Sequence, residues 1–196
     1  MTKKKVKTKK GKKSPLKKLL LDFTPVFAGV IIALFLNNIK TRIDNHKFLN
    51  EIFASIETST DENIETLQNQ LTQNRKVADS LYKYIDNENM NLVFVFMKMG
   101  GKGINIQPLD FSAWNVLKSS PLLTKVDLKI TSLQYKVEET YRMSSELITS
   151  NITILGINSK SKDEKEKIFV SISTYNSYCE EQLNLFNKIK EIIAKE

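Results

Sequence analysis

The chain has 196 residues, of which 41% are hydrophobic and 27% charged, with six glycines and four prolines. This composition excludes collagen-like, Pro/Gly-rich and wholly disordered chains. One Cys and one His exclude a disulfide framework, a Cys/His zinc site and a Cys-x-x-Cys redox centre. We therefore predict no cofactor.

The positive charge is concentrated at the N-terminus. The net charge is +8, but residues 1–18 hold ten lysines and no acid, which leaves 20 basic and 22 acidic residues in the rest. The lysines are Lys3, Lys4, Lys5, Lys7, Lys9, Lys10, Lys12, Lys13, Lys17 and Lys18. We predict a disordered tail over residues 1–18 that binds anionic lipid headgroups, at about 1 kcal/mol per nearby lysine. RNA or an acidic partner is the alternative, but the remainder gives no reason to expect a nucleic-acid-binding face.

An apolar run follows the tail. Residues 19–36 read LLLDFTPVFAGVIIALFL and contain one charge, Asp22. As a helix they would span about 27 Å, just short of a roughly 30 Å hydrocarbon core, and Ile39 can extend them. No small-x-small cleavage site follows, so we predict an uncleaved transmembrane signal anchor over residues 19–39. A buried core helix and a cleaved signal peptide are the alternatives.

The lysine asymmetry predicts the orientation of this anchor. The positive-inside rule puts the tail in the cytoplasm and residues 40–196 outside it, on the inner (cell) membrane. Asp22 lies three residues before Pro25, a spacing typical of an N-cap followed by a first-turn proline. The sequence therefore predicts that the membrane helix begins at Asp22.

The next segment alternates between helical and turn patterns. Apolar residues keep helical spacing from Ile39 to about Ile85, with a polar interruption at Glu57–Asn63 where we expect a kink or a solvated turn. Such a helix would form a stalk leading into a bundle. Residues 92–106 combine an apolar run, a glycine turn and alternation, which favours a β-hairpin, with a short helix as the alternative.

The C-terminal half predicts three more helices. A short one begins near Asp110 or Ser112 and contains Trp114, the only Trp, which we interpret as a structural anchor of the core. Two long helices over residues 124–155 and 164–194 form an antiparallel hairpin. The predicted fold class is mainly α: one transmembrane helix continuing into a long helix, then a helical bundle with a possible small β-hairpin.

Titratable residues are scattered and form no catalytic pattern. His46 is interpreted as a packed or interfacial histidine, and Cys179 as a buried free thiol. The acidic pairs Asp61–Glu62, Glu138–Glu139 and Glu180–Glu181 are interpreted as solvated helix faces. We predict no catalytic, cofactor-binding or metal-binding residue, and no enzymatic activity.

Two stretches resemble a Bacteroidota family of single-pass membrane proteins that contains a domain of unknown function. The first is Gly29–Asn38 (GVIIALFLNN), with Ile39 where the family has Trp. The second is Ala113–Trp114 followed by Lys118–Ser120, before a helix containing LQY at residues 133–135. The long lysine tail departs from the family. The resemblance implies membrane anchorage and a helical domain, and it implies no catalytic residues.

These features favour a membrane-anchored helical interaction or accessory (scaffold) protein of the cell envelope. Its expected partners are the lipid bilayer and either another membrane or envelope protein or a second copy of itself. The alternative is a sensor whose bundle binds a ligand and signals through a partner. An enzyme is the weakest reading, because no convergent set of titratable residues is visible.

Overall fold

The computed structural model describes residues 15–87, 89–98, 100–101, 103–152 and 161–195, without the side chains of residues 15–22, 92, 151 and 152. Within these residues, five α-helices and one 3-10 helix are found. They are α1 (Pro15–Lys83), α2 (Leu92–Lys98), α3 (Ser112–Lys118), the 3-10 helix Pro121–Lys125, α4 (Leu128–Ile152) and α5 (Lys162–Ile193). The prediction of a mainly α protein, with a long helix followed by a helical bundle, is confirmed.

The β-hairpin favoured over residues 92–106 is not supported, and the short helix given as its alternative is found in the first half, as α2. The Asn91 side chain starts this helix, since its Oδ1 accepts a hydrogen bond from the Phe94 N–H at 3.0 Å. The helix ends where Gly100 and Gly101 adopt φ values of 73° and 76°, which side-chain-bearing residues rarely adopt. The apolar run therefore forms about two helical turns rather than a strand.

Helix α1 begins earlier than expected, at Pro15, and continues through Pro25. The predicted start at Asp22 is therefore wrong. Proline at the first helical position lacks only an N–H that would have no partner there, whereas Pro25 removes one internal hydrogen bond that a long helix can spare. Helix α1 also runs without a break across residues 57–63, so no solvated turn interrupts it there.

The chain divides into two compact units, Met1–Phe48 and Leu49–Glu196. In the second unit, α1, α4 and α5 share an apolar core that also takes in Leu109. Its buried residues are Leu67, Leu71, Leu109, Val137, Ile148, Tyr175, Cys179, Leu185, Phe186 and Ile189. Because residues from all three helices interlock in one cluster, this unit is a three-helix bundle, and α2 and the segment around Leu109 pack against it.

A second apolar cluster closes the bundle at the C-terminal end of α1. It joins Val77, Ala78 and Leu81 of α1 to Ile168 and Ile172 of α5. Beside it, the fully buried Lys165 donates hydrogen bonds to the carbonyl oxygens of Tyr84 (3.4 Å) and Asn87 (2.8 Å). A cation is favourable at a helix C-terminus, where the last carbonyls have no partner in the helix. Lys165 therefore ties the start of α5 to the end of α1.

Candidate functional site

The apolar run in the first unit is exposed along its whole described length. Its large hydrophobic side chains from Phe23 to Leu36 keep between 52% and 67% of their surface accessible. This part of α1 is the one described helical stretch that is long and apolar enough to cross a membrane. The tail lysines from Lys3 to Lys13 lie outside the described residues, and Lys17 and Lys18 are described by their backbone alone.

The apolar residues of α1 that follow the run are exposed at first and buried further along the helix. Ile39 and Ile43, in the first unit, are exposed, and so is His46, which was expected to be packed or interfacial. Ile52 and Ile56, in the second unit, are buried. The bundle therefore covers its own part of the stripe without a second chain.

A row of amide side chains on α1 holds the segment 103–110, which we call the strap. Asn74 accepts a hydrogen bond from the Asn105 N–H (2.7 Å) and donates one to the Asn105 carbonyl (2.8 Å). Asn63 does the same with the N–H and carbonyl of Asp110, both at 2.8 Å. Between them, Gln70 donates to the Gln107 carbonyl at 2.9 Å.

The spacing of these contacts shows that the strap is extended and runs antiparallel to α1. From Asn63 to Asn74 the helix rises about 16 Å, at about 1.5 Å per residue. The five steps from Asn105 to Asp110 cover about the same 16 Å only at the rise of an extended chain, about 3.3 Å per residue. The amides of α1 thus bind the main chain of the strap as a neighbouring β-strand would.

A polar groove lies beside the strap, with a volume of about 740 Å³. Seven polar side chains line it: Asn69, Thr72, Gln73, Lys76, Ser80, Asn105 and Gln107. Gln73 donates to the Gly103 carbonyl and so anchors the start of the strap. Lys76 is exposed, and within the described residues it makes no ion pair. The groove therefore offers one unpaired positive charge among neutral hydrogen-bonding groups.

Trp114 is 2% exposed and packs from α3 against α4. Its indole Nε1–H donates to the Glu138 carboxylate at 3.2 Å, and its ring meets the edge of the Tyr135 ring at a centroid distance of 5.4 Å. Lys118 also binds Glu138 through an ion pair. Glu138 was expected on a solvated face; instead it accepts both hydrogen bonds at a partly buried position.

Two buried titratable groups lie together in the core. The Tyr175 hydroxyl donates to the Gln70 side-chain carbonyl, and burial raises the pKa of Tyr175 well above its ordinary value. Cys179 is buried, as the sequence predicted, and burial raises the pKa of its thiol from 9.0 to about 11. Both groups are therefore neutral at physiological pH, which suits packing rather than proton transfer or nucleophilic attack.

The amide row was not predicted from the sequence. Asn63, Gln70 and Asn74 occupy the same helix face as Leu67, Val77 and Leu81, so they lie inside the apolar stripe. Amides at core positions were the available signal, because a buried amide must find a hydrogen-bond partner. The partners themselves were not visible, since they are main-chain groups 31 to 47 residues away.

A second, more apolar groove of about 690 Å³ lies between the start of α4 and the end of α5, lined by Leu128, Leu133 and Ile192 among others. The described residues contain no group of three or more His, Cys, Asp or Glu side chains that could hold a metal ion.

No protein-family model, no curated protein and no solved structure matches the chain.

Proposed function

We propose that this protein is a single-pass, membrane-anchored helical interaction or accessory protein of the cell envelope. Its N-terminal tail would lie in the cytoplasm on anionic headgroups, and its bundle would face the extracytoplasmic side. In this proposal the protein acts through its surfaces, by holding a partner at the membrane, rather than through catalysis.

The exposure of the Phe23–Leu36 run carries this proposal. Among the described residues, fourteen consecutive ones without a charged side chain are exposed. An uncovered apolar helix face is costly in water, at roughly 25 cal/mol per Å² of apolar surface, and a lipid bilayer removes that cost. The lysine tail on one side supports the orientation, because loops rich in Lys and Arg stay in the cytoplasm.

Topology can be tested on the full chain with reporters fused after Glu196. A reporter that is active only outside the cytoplasm should be active, and one that is active only inside should be silent. Replacing the ten tail lysines by Gln should scramble the orientation, because the charge asymmetry is then lost. As a control, changing three lysines of the bundle to Gln, at Lys125, Lys129 and Lys136, should leave the orientation in the membrane unchanged.

Membrane insertion itself is tested by Val30→Arg combined with Ala33→Arg. Each arginine near the centre of a spanning helix costs about 2.5 to 3.5 kcal/mol, so the double variant should move to the soluble fraction. Ile43→Arg, at an exposed position beyond the run, is the control and should stay in the membrane. Recovery of the unmodified chain in the soluble fraction, or activity of the cytoplasmic reporter alone, would contradict the proposal.

A further inference from the structure

The strap has one edge bound to α1 and an opposite edge without a partner. Peptide groups of an extended chain point alternately to its two edges. Since Gly103, Asn105 and Gln107 bond to α1, the N–H and C=O groups of Ile104 and Ile106 point away from it. Within the described part of the chain, neither isoleucine makes a main-chain hydrogen bond, and Ile106 is 45% exposed.

We propose that this outer edge binds an extended acidic segment of a partner protein, which adds to the strap as an antiparallel strand. An unpaired strand edge is a template for such pairing, because the main-chain hydrogen bonds are available to almost any sequence. Pro108 has no N–H and limits the pairing on one side, so the bound segment spans about five residues. This inference deepens the proposed function, and it rests on the part that assigns the protein an interaction role.

The positive charge of Lys76 in the polar groove favours an acidic side chain on the partner. The side chains of Asn105 and Gln107 line the polar groove together with Lys76. A residue paired opposite Asn105 extends its side chain on the same face of the strand pair, and so toward this groove. A Glu or Asp at that position can meet the unpaired Lys76. A second copy of residues 103–107 brings no carboxylate, and for that reason we favour a partner protein as the occupant.

The pairing predicts which amides of a peptide are used. In the blocked peptide Thr-Val-Glu-Val-Thr, with Glu opposite Asn105, the two Val residues exchange hydrogen bonds with Ile104 and Ile106. The Glu N–H points away from the strap. N-methylation of both Val nitrogens should weaken binding to the full chain in detergent at least tenfold, because lost hydrogen bonds each cost up to about a factor of ten. N-methylation of the Glu nitrogen should leave binding unchanged. Fluorescence anisotropy measures the affinity of all three peptides for the full chain.

Variants of the chain give matching expectations. Ile106→Pro should weaken binding at least tenfold, since it removes an outer N–H that the fold does not use. Lys76→Gln, or Gln in place of the peptide Glu, should weaken binding about threefold. The two changes together should weaken binding little more than either one alone, because both remove the same exposed ion pair.

The two N-methylated peptides decide the question even if Ile106→Pro does not fold. Equal binding of both peptides, or no binding of the parent peptide, would overturn the proposal. Self-association of the chain that is lost in Ile106→Pro and that the peptide does not displace would also overturn it, in favour of a second copy. None of these results depends on membrane topology, so failure of the anchor proposal would appear separately, in the reporter and fractionation experiments.

Discussion

Glu138 shows how one side chain can link two elements that the sequence presents as unrelated. Its two carboxylate oxygens accept from the Trp114 indole and from the Lys118 ammonium, both on α3. The buried indole N–H needs a partner, and a charged acceptor provides a stronger hydrogen bond than a neutral one. Trp114 therefore anchors α3 to α4 through both packing and this shared carboxylate.

Truncation of Trp114 should be strongly destabilising. We expect Trp114→Ala to lower the free energy of unfolding by about 3–5 kcal/mol, because it leaves a cavity and removes the indole hydrogen bond to Glu138. Val116→Ala, on the same short helix but 52% exposed, should cost less than about 0.5 kcal/mol. Urea unfolding of the full chain in mild detergent measures both variants. Equal, small losses would mean that Trp114 does not anchor the bundle.

The buried thiol of Cys179 makes stability depend on alkaline pH. Its pKa is about 11 in the folded chain and 9.0 when the thiol is unperturbed. Between these values the unfolded chain releases its proton first, so this contribution to stability is complete below pH 9 and falls as the pH rises.

We expect Cys179→Ala to reduce the loss of stability between pH 8.5 and 10 by about 1 kcal/mol relative to the unmodified chain. The measured quantity is the difference between the two pH slopes, which is insensitive to the constant cost of the small cavity. Identical slopes would show that the thiol titrates alike in the folded and unfolded chain. Tyr175 remains in both proteins, and burial, the largest cause of its raised pKa, is kept in the variant.

At the scale of elements, the amide row explains how a helix can hold an extended chain. Core positions of α1 follow the alternating spacing of four and three that packs helices together, at Asn63, Leu67, Gln70, Asn74, Val77 and Leu81. Three of the six are amides, and these three bind the strap. A side-chain amide carries both a donor and an acceptor, so it can satisfy both main-chain groups of one residue.

The amide row should contribute substantially to stability. Asn74→Ala removes both hydrogen bonds to Asn105 and should lower the free energy of unfolding by about 2 kcal/mol. Asn69→Ala, on the same helix but exposed, is the matched control and should change it by less than about 0.5 kcal/mol.

Hydrogen exchange gives a second measurement of this contact. The Asn105 amide should be protected in the unmodified chain and should exchange faster in Asn74→Ala. Fast exchange of the Asn105 amide in both proteins would contradict the contact between Asn74 and Asn105. Fast exchange of the Ile106 amide is expected in both proteins, since this N–H has no partner within the described residues.

At the scale of the whole bundle, α5 returns alongside α1. The Lys190 ammonium lies 2.6 Å from the Asp61 carboxylate, and near the opposite end Lys165 binds carbonyl oxygens at the end of α1. The surface ion pair contributes little by itself, but the two contacts define the alignment of the helices. In this alignment Ile189 is fully buried against its own chain.

Crosslinking can test this alignment in the membrane. With Cys179 changed to Ser, cysteines at positions 61 and 190 should be joined within one chain by a short bis-maleimide, at a yield independent of protein concentration. The pair 79 and 190 is the control, because position 79 lies about 27 Å further along α1 and should give no product. Predominantly dimeric product from the first pair would mean that α1 packs against a second copy.

The sequence by itself determined the elements of this protein and the position of its apolar run. Helical periodicity predicted α4 and α5 to within four residues at each end, and length and charge defined the N-terminal run and tail. Such features depend on local patterns, because a helix satisfies its own hydrogen bonds and its apolar stripe reports which face is covered. The pattern did not identify the helix at residues 92–98, since a run of six apolar residues suits a strand as well as a short helix.

Only the tertiary structure decided where the polar groups go. The polar segment 57–63 was expected to be solvated, yet Ser59, Thr60 and Asn63 are buried. A polar residue within a helical apolar pattern gives the same sequence pattern whether its hydrogen-bond partner is water or a distant main-chain group. The alternation of residues 104–106 indicated an extended chain, but it did not indicate that side chains of α1, rather than a neighbouring strand, would bind this chain. Its free outer edge is therefore a product of packing alone, and it is the surface on which we place the partner.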